Sequence, residues 1–350
     1  MGVVGHYLLL QLIRVAAGIT QATVASTVGV SQPNYQRWES GSAPIPDDKL
    51  RKLAQALKTT PEALLGRHPP IEAGFYDDSV GEDLNYYGEV SVHFCGGGPP
   101  LLLSISDGAF RRLHRDLQRD TPFVTVESLA NQTVVMRTKA IADLYFSSEA
   151  YDDYGPEHDT YANHASIQMP DERDWEIVEA LQDGYGLDDF DPADVQRVSE
   201  RILITEEQYD KLVAEGLIKP EDLESEREKN QRETNSIFEL ATQTTYQLST
   251  GQRRSVCVGS EDLFNALYEL TDFDGGEPAD DMIRIPAEGW HRTIFINKSA
   301  LDYVVIPTHR YNESRTEANA EDLDALEAAK KSAPKKAKTK ARARKVNGAG

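Results

Sequence analysis

Apolar residues at the start of the chain recur with the spacing of short helices. Five segments show this pattern between residues 8 and 66: "LLLQLIRVAAG", "QATVASTVG", "QPNYQRWES", "PIPDDKLRKLAQALK" and "PEALLG". Thr20, Ser31 and Thr60 stand at N-cap positions, and Gly18 and Gly29 end helices. The pattern predicts an all-α five-helix domain over residues 1–68 and a linker over 69–84.

The hydrophobic period then changes from helical spacing to alternation. "EVSVHF" and "LLLSIS" predict two strands joined by a turn at "CGGGPP", and "DGAFRRLHRDLQRD" predicts a helix. "FVTVESL" and "TVVMRT" predict a second hairpin, which "AIADLYF" extends. We therefore expect an α+β module over residues 85–149.

The same layout returns later in the chain. When the sequence is aligned with itself at a shift of 154 residues, Phe110 matches Phe264, and at a shift of 159 residues Lys139 matches Lys298. We predict a duplicated ββα-ββ module with its second copy at 237–311. We expect the two copies to bury each other's apolar faces, with Phe110 of one central helix facing Phe264 of the other. Chance similarity between two α+β stretches is the alternative.

An acidic segment separates the two copies. Residues 150–235 hold 25 Asp or Glu against eight Lys or Arg and show helical patterns, which predicts an acidic helical insert over 150–236. Residues 312–350 read as a linker followed by a Lys/Ala-rich tail that is disordered when free.

Charge divides the chain into three parts. The net charge of the 350 residues is −21. Residues 1–70 carry seven Lys or Arg and four Asp or Glu, and residues 330–350 carry nine Lys or Arg and no Asp or Glu. Residues 71–329 carry 21 Lys or Arg and 54 Asp or Glu. Both ends could approach a polyanion, while the middle would be repelled by one. Two cysteines exclude a disulfide scaffold, and "YLLLQLI" is too short for a membrane span or a signal peptide, so we expect a cytoplasmic protein without a membrane association.

One segment carries the most specific pattern. "ITQATVASTVGVSQPNYQRWESG", residues 19–41, resembles the helix-turn-helix of the Cro/C1 (XRE) family of phage and bacterial repressors. Ala25 is small where the two helices cross, and Gly29 stands in the turn, where a positive φ is needed. The resemblance covers about residues 8–66. A plain helical bundle with the same pattern by chance is the alternative.

The resemblance implies a DNA-binding surface. Such a motif lays its second helix in the major groove of double-stranded DNA. The outward-facing positions of that helix are Gln32, Pro33, Asn34, Gln36 and Arg37. Thr20, Gln21 and Ser31 would contact phosphate at helix starts. Arg14 and Glu39 have the spacing of a family salt bridge with a structural role: it would either orient the recognition helix or lie in solvent as an exposed pair. Pro33 departs from the family, since proline offers only van der Waals contact to a base.

These observations predict a sequence-specific DNA-binding transcriptional regulator, in the sense of a repressor, that is nucleoid-associated when bound to DNA. A homodimer is expected because one recognition helix reads only a few base pairs. The remaining region would serve self-association, a protein partner or an effector. Two alternatives stay open: an interaction module, such as an antitoxin or a phage-encoded inhibitor, whose acidic body binds a basic partner, and an enzyme with a DNA-targeting domain, for which no catalytic motif is present.

Several other features predict little chemistry. The basic tail would contact DNA or dock on the acidic body. His158, Asp159 and His164 lie in an acidic loop without a metal-binding motif, so neither a metal nor a cofactor is predicted. Cys95 and Cys257 are expected to be small apolar packing residues.

Overall fold

The computed structural model describes residues 7–75, 77, 79–148, 167–271, 281–287 and 292–332. Over these residues an all-helical N-terminal region is followed by an α+β region whose strands form three sheets.

The N-terminal region has five helices around one apolar core. They are α1 (Tyr7–Ala16), α2 (Gln21–Val28), α3 (Gln32–Glu39), α4 (Asp47–Ala56) and α5 (Pro61–Leu64). Each helix contributes an apolar side chain to the same buried cluster: Leu10, Val24, Tyr35, Leu53 and Leu64. The five predicted helices are confirmed, because the periodic apolar positions are those that meet in the core.

The predicted linker over 69–84 is held by contacts with the rest of the chain. The Ile71 amide donates to the Asp171 carboxylate at 3.0 Å, and Gly74 forms an isolated β-bridge with Asn85. Arg173 donates to the carbonyl groups of Gly66 and His68. The segment that follows the N-terminal region is therefore held in place by hydrogen bonds to Asp171 and Arg173.

The α+β region contains two stretches with one order of elements. The first has β1 (Tyr86–Phe94), β2 (Leu101–Ser106), α6 (Asp107–Asp116), β3 (Phe123–Glu127), β4 (Gln132–Arg137) and β5 (Ile141–Ser148). The insert follows with α7 (Glu172–Asp183), α8 (Pro192–Ile202), α9 (Glu206–Ala214) and α10 (Leu223–Thr242). The second stretch has β6 (Gln243–Leu248), β7 (Arg253–Cys257), α11 (Ser260–Thr271), β8 (Met282–Ala287), β9 (Arg292–Asn297) and β10 (Leu301–Pro307). The chain ends its described part with α12 (Thr308–Ser332).

The strand pairings of the two stretches correspond. Sheet orders are β2-β1-β5, β3-β4-β10-β6-β7 and β8-β9, with antiparallel neighbours throughout. The matching pairs at the end of the first strand are Phe94–Ile141 and Leu248–Leu301. Corresponding residues of the two stretches are therefore 154 positions apart in the first strand and 160 positions apart in the last strand. The structural counterpart of Lys139 is Ser299, one residue beyond the predicted Lys298. The common origin of the two stretches stays a prediction.

The pairing of β4 with β10 joins the two stretches into one unit. Val135 lies opposite Val304 in this pair. Successive side chains of a strand point to opposite faces, so Val134 and Met136 enter the core that contains α6, while Val135 enters the core that contains α11. The central strands β4 and β10 of the five-stranded sheet are therefore buried on both faces, whereas the edge strand β7 is mostly exposed.

This arrangement overturns the expected packing of α6 against α11. The two helices belong to different cores, on opposite faces of the joined sheet. Phe110 stacks on Tyr87, Phe264 contacts Tyr311, and both phenylalanines are half-buried. The joined sheet lies between the two helices, and each core contains residues from both stretches: Val135 packs in the core of α11 and Val305 in that of α6.

Two other predictions are wrong. Residues 312–332, expected as a linker, continue the helix that starts at Thr308, since this stretch lacks proline and glycine and is rich in alanine and glutamate. Cys95 and Cys257 are exposed instead of packed in a core, because Cys95 lies in the turn after β1 and Cys257 ends the edge strand β7.

Of the described helices, none alone is long and apolar enough to cross a membrane; Leu9–Ala16 and Gln21–Val28 reach that length only together and are bent by 101°. No group of three or more His, Cys, Asp or Glu within the described ranges is arranged to hold a metal ion. His158, Asp159 and His164 lie outside those ranges, as do residues 333–350.

Candidate nucleic-acid interface

Helices α2 and α3 are joined by a tight turn that the sequence specifies. Gly29 adopts φ 76°, and its N–H donates to the carbonyls of Ala25 and Ser26, which closes α2. Ser31 is the N-cap of α3 in an extended conformation, although its side chain makes no capping hydrogen bond. Pro33 lies in the first turn of α3, where its missing N–H costs nothing. The turn therefore sets where α3 begins.

Helix α3 has one buried face and one exposed polar face. Tyr35, Trp38 and Glu39 are buried. The remaining side chains of the predicted recognition surface are all exposed: Ser31, Gln32, Pro33, Asn34, Gln36 and Arg37. Amide and guanidinium groups on one helix face can form paired hydrogen bonds with the edges of bases.

A buried ion pair fixes the end of α3 to α1. Arg14 is completely buried, and its Nε lies 2.5 Å from Oε1 of Glu39. The Arg14 Nη1 also donates to the carbonyl of Ile19 at 3.0 Å. Of the two alternatives, the solvated pair is ruled out by this burial. Loss of one partner is costly, because a single charge would remain in a dry core.

The side chain of Gln21 connects this pair to the exposed face of α3. Its Nε2 donates to Oε2 of Glu39 at 2.6 Å, and its Oε1 accepts from Nε2 of Gln36 at 2.9 Å. In the structure the Gln21 side chain links the Arg14–Glu39 pair to Gln36, and its contact with phosphate stays a prediction. Residue spacing alone did not reveal this network, because amide directions depend on the packing of α2 against α3.

The N-terminus of α2 is occupied by acidic side chains from α12. The Thr23 amide donates to Oγ1 of Thr20 at 3.3 Å, which caps the helix. The Gln21 amide donates to Oδ1 of Asp324 at 3.2 Å, and the Thr20 hydroxyl donates to the Glu327 carboxylate. Sequence reasoning missed both acids because they lie in the stretch read as a linker; their spacing of three residues on an alanine-rich, proline-free segment is the signal that could have indicated a helix.

A family model described as helix-turn-helix matches residues 10–64. These residues form a helix-turn-helix domain of the Cro/C1 type, which is a DNA-binding domain, and the predicted resemblance is confirmed. Comparison of the chain with curated proteins and with solved structures gave no match.

Proposed function

We propose that the protein is a sequence-specific transcriptional regulator, acting as a repressor, that reads operator DNA with α3. The observation that carries this proposal is the exposed polar face of α3 on a helix-turn-helix domain, held in place by the buried Arg14–Glu39 pair. Residues 1–70 also carry three more bases than acids, in contrast to the acidic body. A net positive charge on the DNA-binding domain favours its approach to the phosphate groups of DNA.

Each exposed side chain of α3 has a proposed role. Gln32, Asn34 and Gln36 carry the donor and acceptor that pair with adenine in the major groove, and Arg37 carries the fork that pairs with guanine. Pro33 would offer an apolar contact, suited to a thymine methyl group. Ser31, with a free capping position, is a proposed phosphate contact at the start of α3.

We propose that two copies bind one operator. A single α3 reaches only a few base pairs, and two-fold sites double the contacts. The α+β region would provide self-association or bind an effector or protein partner. The equal order of elements in its two stretches supports an internal duplication as the origin of this region.

Selection of bound duplexes from a random pool tests the proposal. Full-length protein should enrich a motif, and Arg37→Ala should lose the preference at one base pair in each half-site. Arg51→Ala is the matched control: it removes the same charge from an exposed position on α4. It should lower affinity a little for all sequences and keep the motif.

An unchanged motif with Arg37→Ala would show that α3 does not read DNA at this position. Absence of any enriched sequence with the wild-type protein would contradict sequence-specific binding altogether.

A further inference from the structure

The last helix of the chain spans the distance between the α+β region and the DNA-binding domain. Helix α12 has 25 residues, which corresponds to about 37 Å. Its first half is anchored in the α+β region: Tyr311 is buried in the core with α11, and Ser314 Oγ accepts from the Phe264 amide at 3.0 Å. The helix also contacts α1, and Asp324 and Glu327 in its second half reach the start of α2.

One face of the second half is directed at the helix-turn-helix domain. Ala320 is 5% exposed, and Leu323, Asp324 and Glu327 are half-buried. These positions follow the three- and four-residue spacing of one helix face. Leu326, between them in sequence, is 58% exposed and lies on another face.

The two acids on this face bind where DNA phosphate is expected. Asp324 accepts the hydrogen bond of the Gln21 amide, and Glu327 accepts that of the Thr20 hydroxyl. Both groups lie at the start of α2, where the first N–H groups have no backbone acceptor within the helix and the positive dipole end attracts anions. A carboxylate is the protein counterpart of a phosphate oxygen at such a site.

The charge of this part of α12 also opposes DNA. Residues 317–329 contain five Asp or Glu and no Lys or Arg. A duplex laid across α2 and α3 would bring a row of phosphates toward these acids, with about one negative charge per 1.7 Å of helix axis. The Gln21 amide cannot donate to Asp324 and to a phosphate at the same time.

We propose that α12 is an internal competitor for DNA: its carboxylates Asp324 and Glu327 occupy the phosphate-binding end of α2, and DNA binds only when they leave. The inference rests on the proposed function, because it takes DNA as the competing ligand. The equilibrium between the docked and the released end of α12 then sets the affinity for DNA. If only a small fraction of the molecules has a released α12, the apparent affinity for DNA is lowered by that fraction. Partners that capture the end of α12 would activate DNA binding.

The test is a paired charge removal in the full-length protein. Asp324→Asn with Glu327→Gln removes the competing carboxylates. Glu321→Gln with Asp322→Asn is the matched control, since it removes two negative charges from exposed positions on the same part of α12. The probes are a random-sequence duplex of about 30 base pairs and the duplex most enriched by selection, at one fixed salt concentration.

The variant that lacks Asp324 and Glu327 carboxylates should bind both duplexes about tenfold more tightly than wild type, and the control variant should stay within about twofold. Hydrogen exchange of the Gln21 amide provides a second readout that needs no DNA: the amide should exchange faster in the first variant and at the wild-type rate in the control.

Equal affinities of the two variants, or an unchanged exchange rate at Gln21, would overturn the competitor proposal while leaving the DNA-binding function intact. If wild type and both variants bind neither duplex, the proposed function itself fails, and competition for DNA fails with it, whatever the exchange rate shows.

Discussion

Replacement of Glu39 by glutamine should destabilise the helix-turn-helix domain strongly. The substitution leaves the fully buried Arg14 guanidinium without a counter-charge and with only neutral acceptors, such as the glutamine side-chain oxygen and the Ile19 carbonyl at 3.0 Å. Breaking a buried ion pair by removing one partner costs about 3–5 kcal/mol. Because the chain has more than one folding unit, the cost is best measured as the opening free energy of this domain alone, from hydrogen exchange of the Val24 amide, which donates to Thr20 within α2.

A double replacement supplies the control for this prediction. Arg14→Met with Glu39→Leu removes both charges and keeps apolar volume, and such swaps are often neutral or stabilising. The double variant should therefore be more stable than Glu39→Gln alone. The reasoning is refuted if Glu39→Gln lowers the opening free energy by less than about 1 kcal/mol, or if the double variant loses as much as the single one.

Three further predictions follow from other parts of the chain. Burial, and then the charges of nearby carboxylates, raise the pKa of Glu176 to about 8. The folded state therefore holds a proton that the unfolded state has lost, and stability should fall as pH rises from about 4.5 to about 8. Denaturant titrations at several pH values in that range should show no such fall in the free energy of unfolding for Glu176→Gln. An equal fall in the wild-type protein and in the variant would contradict the prediction. Gly96→Ala should lower the free energy of unfolding by about 1–3 kcal/mol, because its Cβ would lie 2.7 Å from the carbonyl oxygen of Ser249 in the second stretch. Gly97→Ala is the control: its Cβ would meet nothing within 4 Å, and its φ of +78° should cost about 1 kcal/mol in backbone strain. Equal losses of stability in chemical denaturation would refute the close approach at Gly96. Deletion of residues 333–350 removes seven Lys or Arg and should flatten the dependence of log K on log salt without changing the selected motif; an equal slope would show that this segment does not touch DNA.

The helix-turn-helix domain could be predicted closely because its information is local. Apolar spacing, the caps at Thr20 and Thr60 and the glycine at position 29 agree on the same helices, and all three features appear in the structure. Strand and helix positions in the α+β region were also predictable from period alone. Local consistency of this kind is what makes a segment readable from sequence.

Long-range pairing could not be predicted in the same way. Nothing in the alternation of β4 or β10 specifies that these two strands pair, and this pairing decides that α6 and α11 cover opposite faces. Helix α12 was missed because its second half has no continuous apolar stripe. Its stability there comes from alanine content and from contacts with the start of α2 that only the folded chain provides.

Mapping of bound DNA across the genome of the source cell tests whether α3 reads a specific DNA sequence. We expect a limited number of discrete sites that share one motif with two-fold symmetry, and loss of those sites in a strain that carries Arg37→Ala. Uniform or absent occupancy by the wild-type protein, or identical sites in the two strains, would contradict the claim that α3 reads a specific DNA sequence.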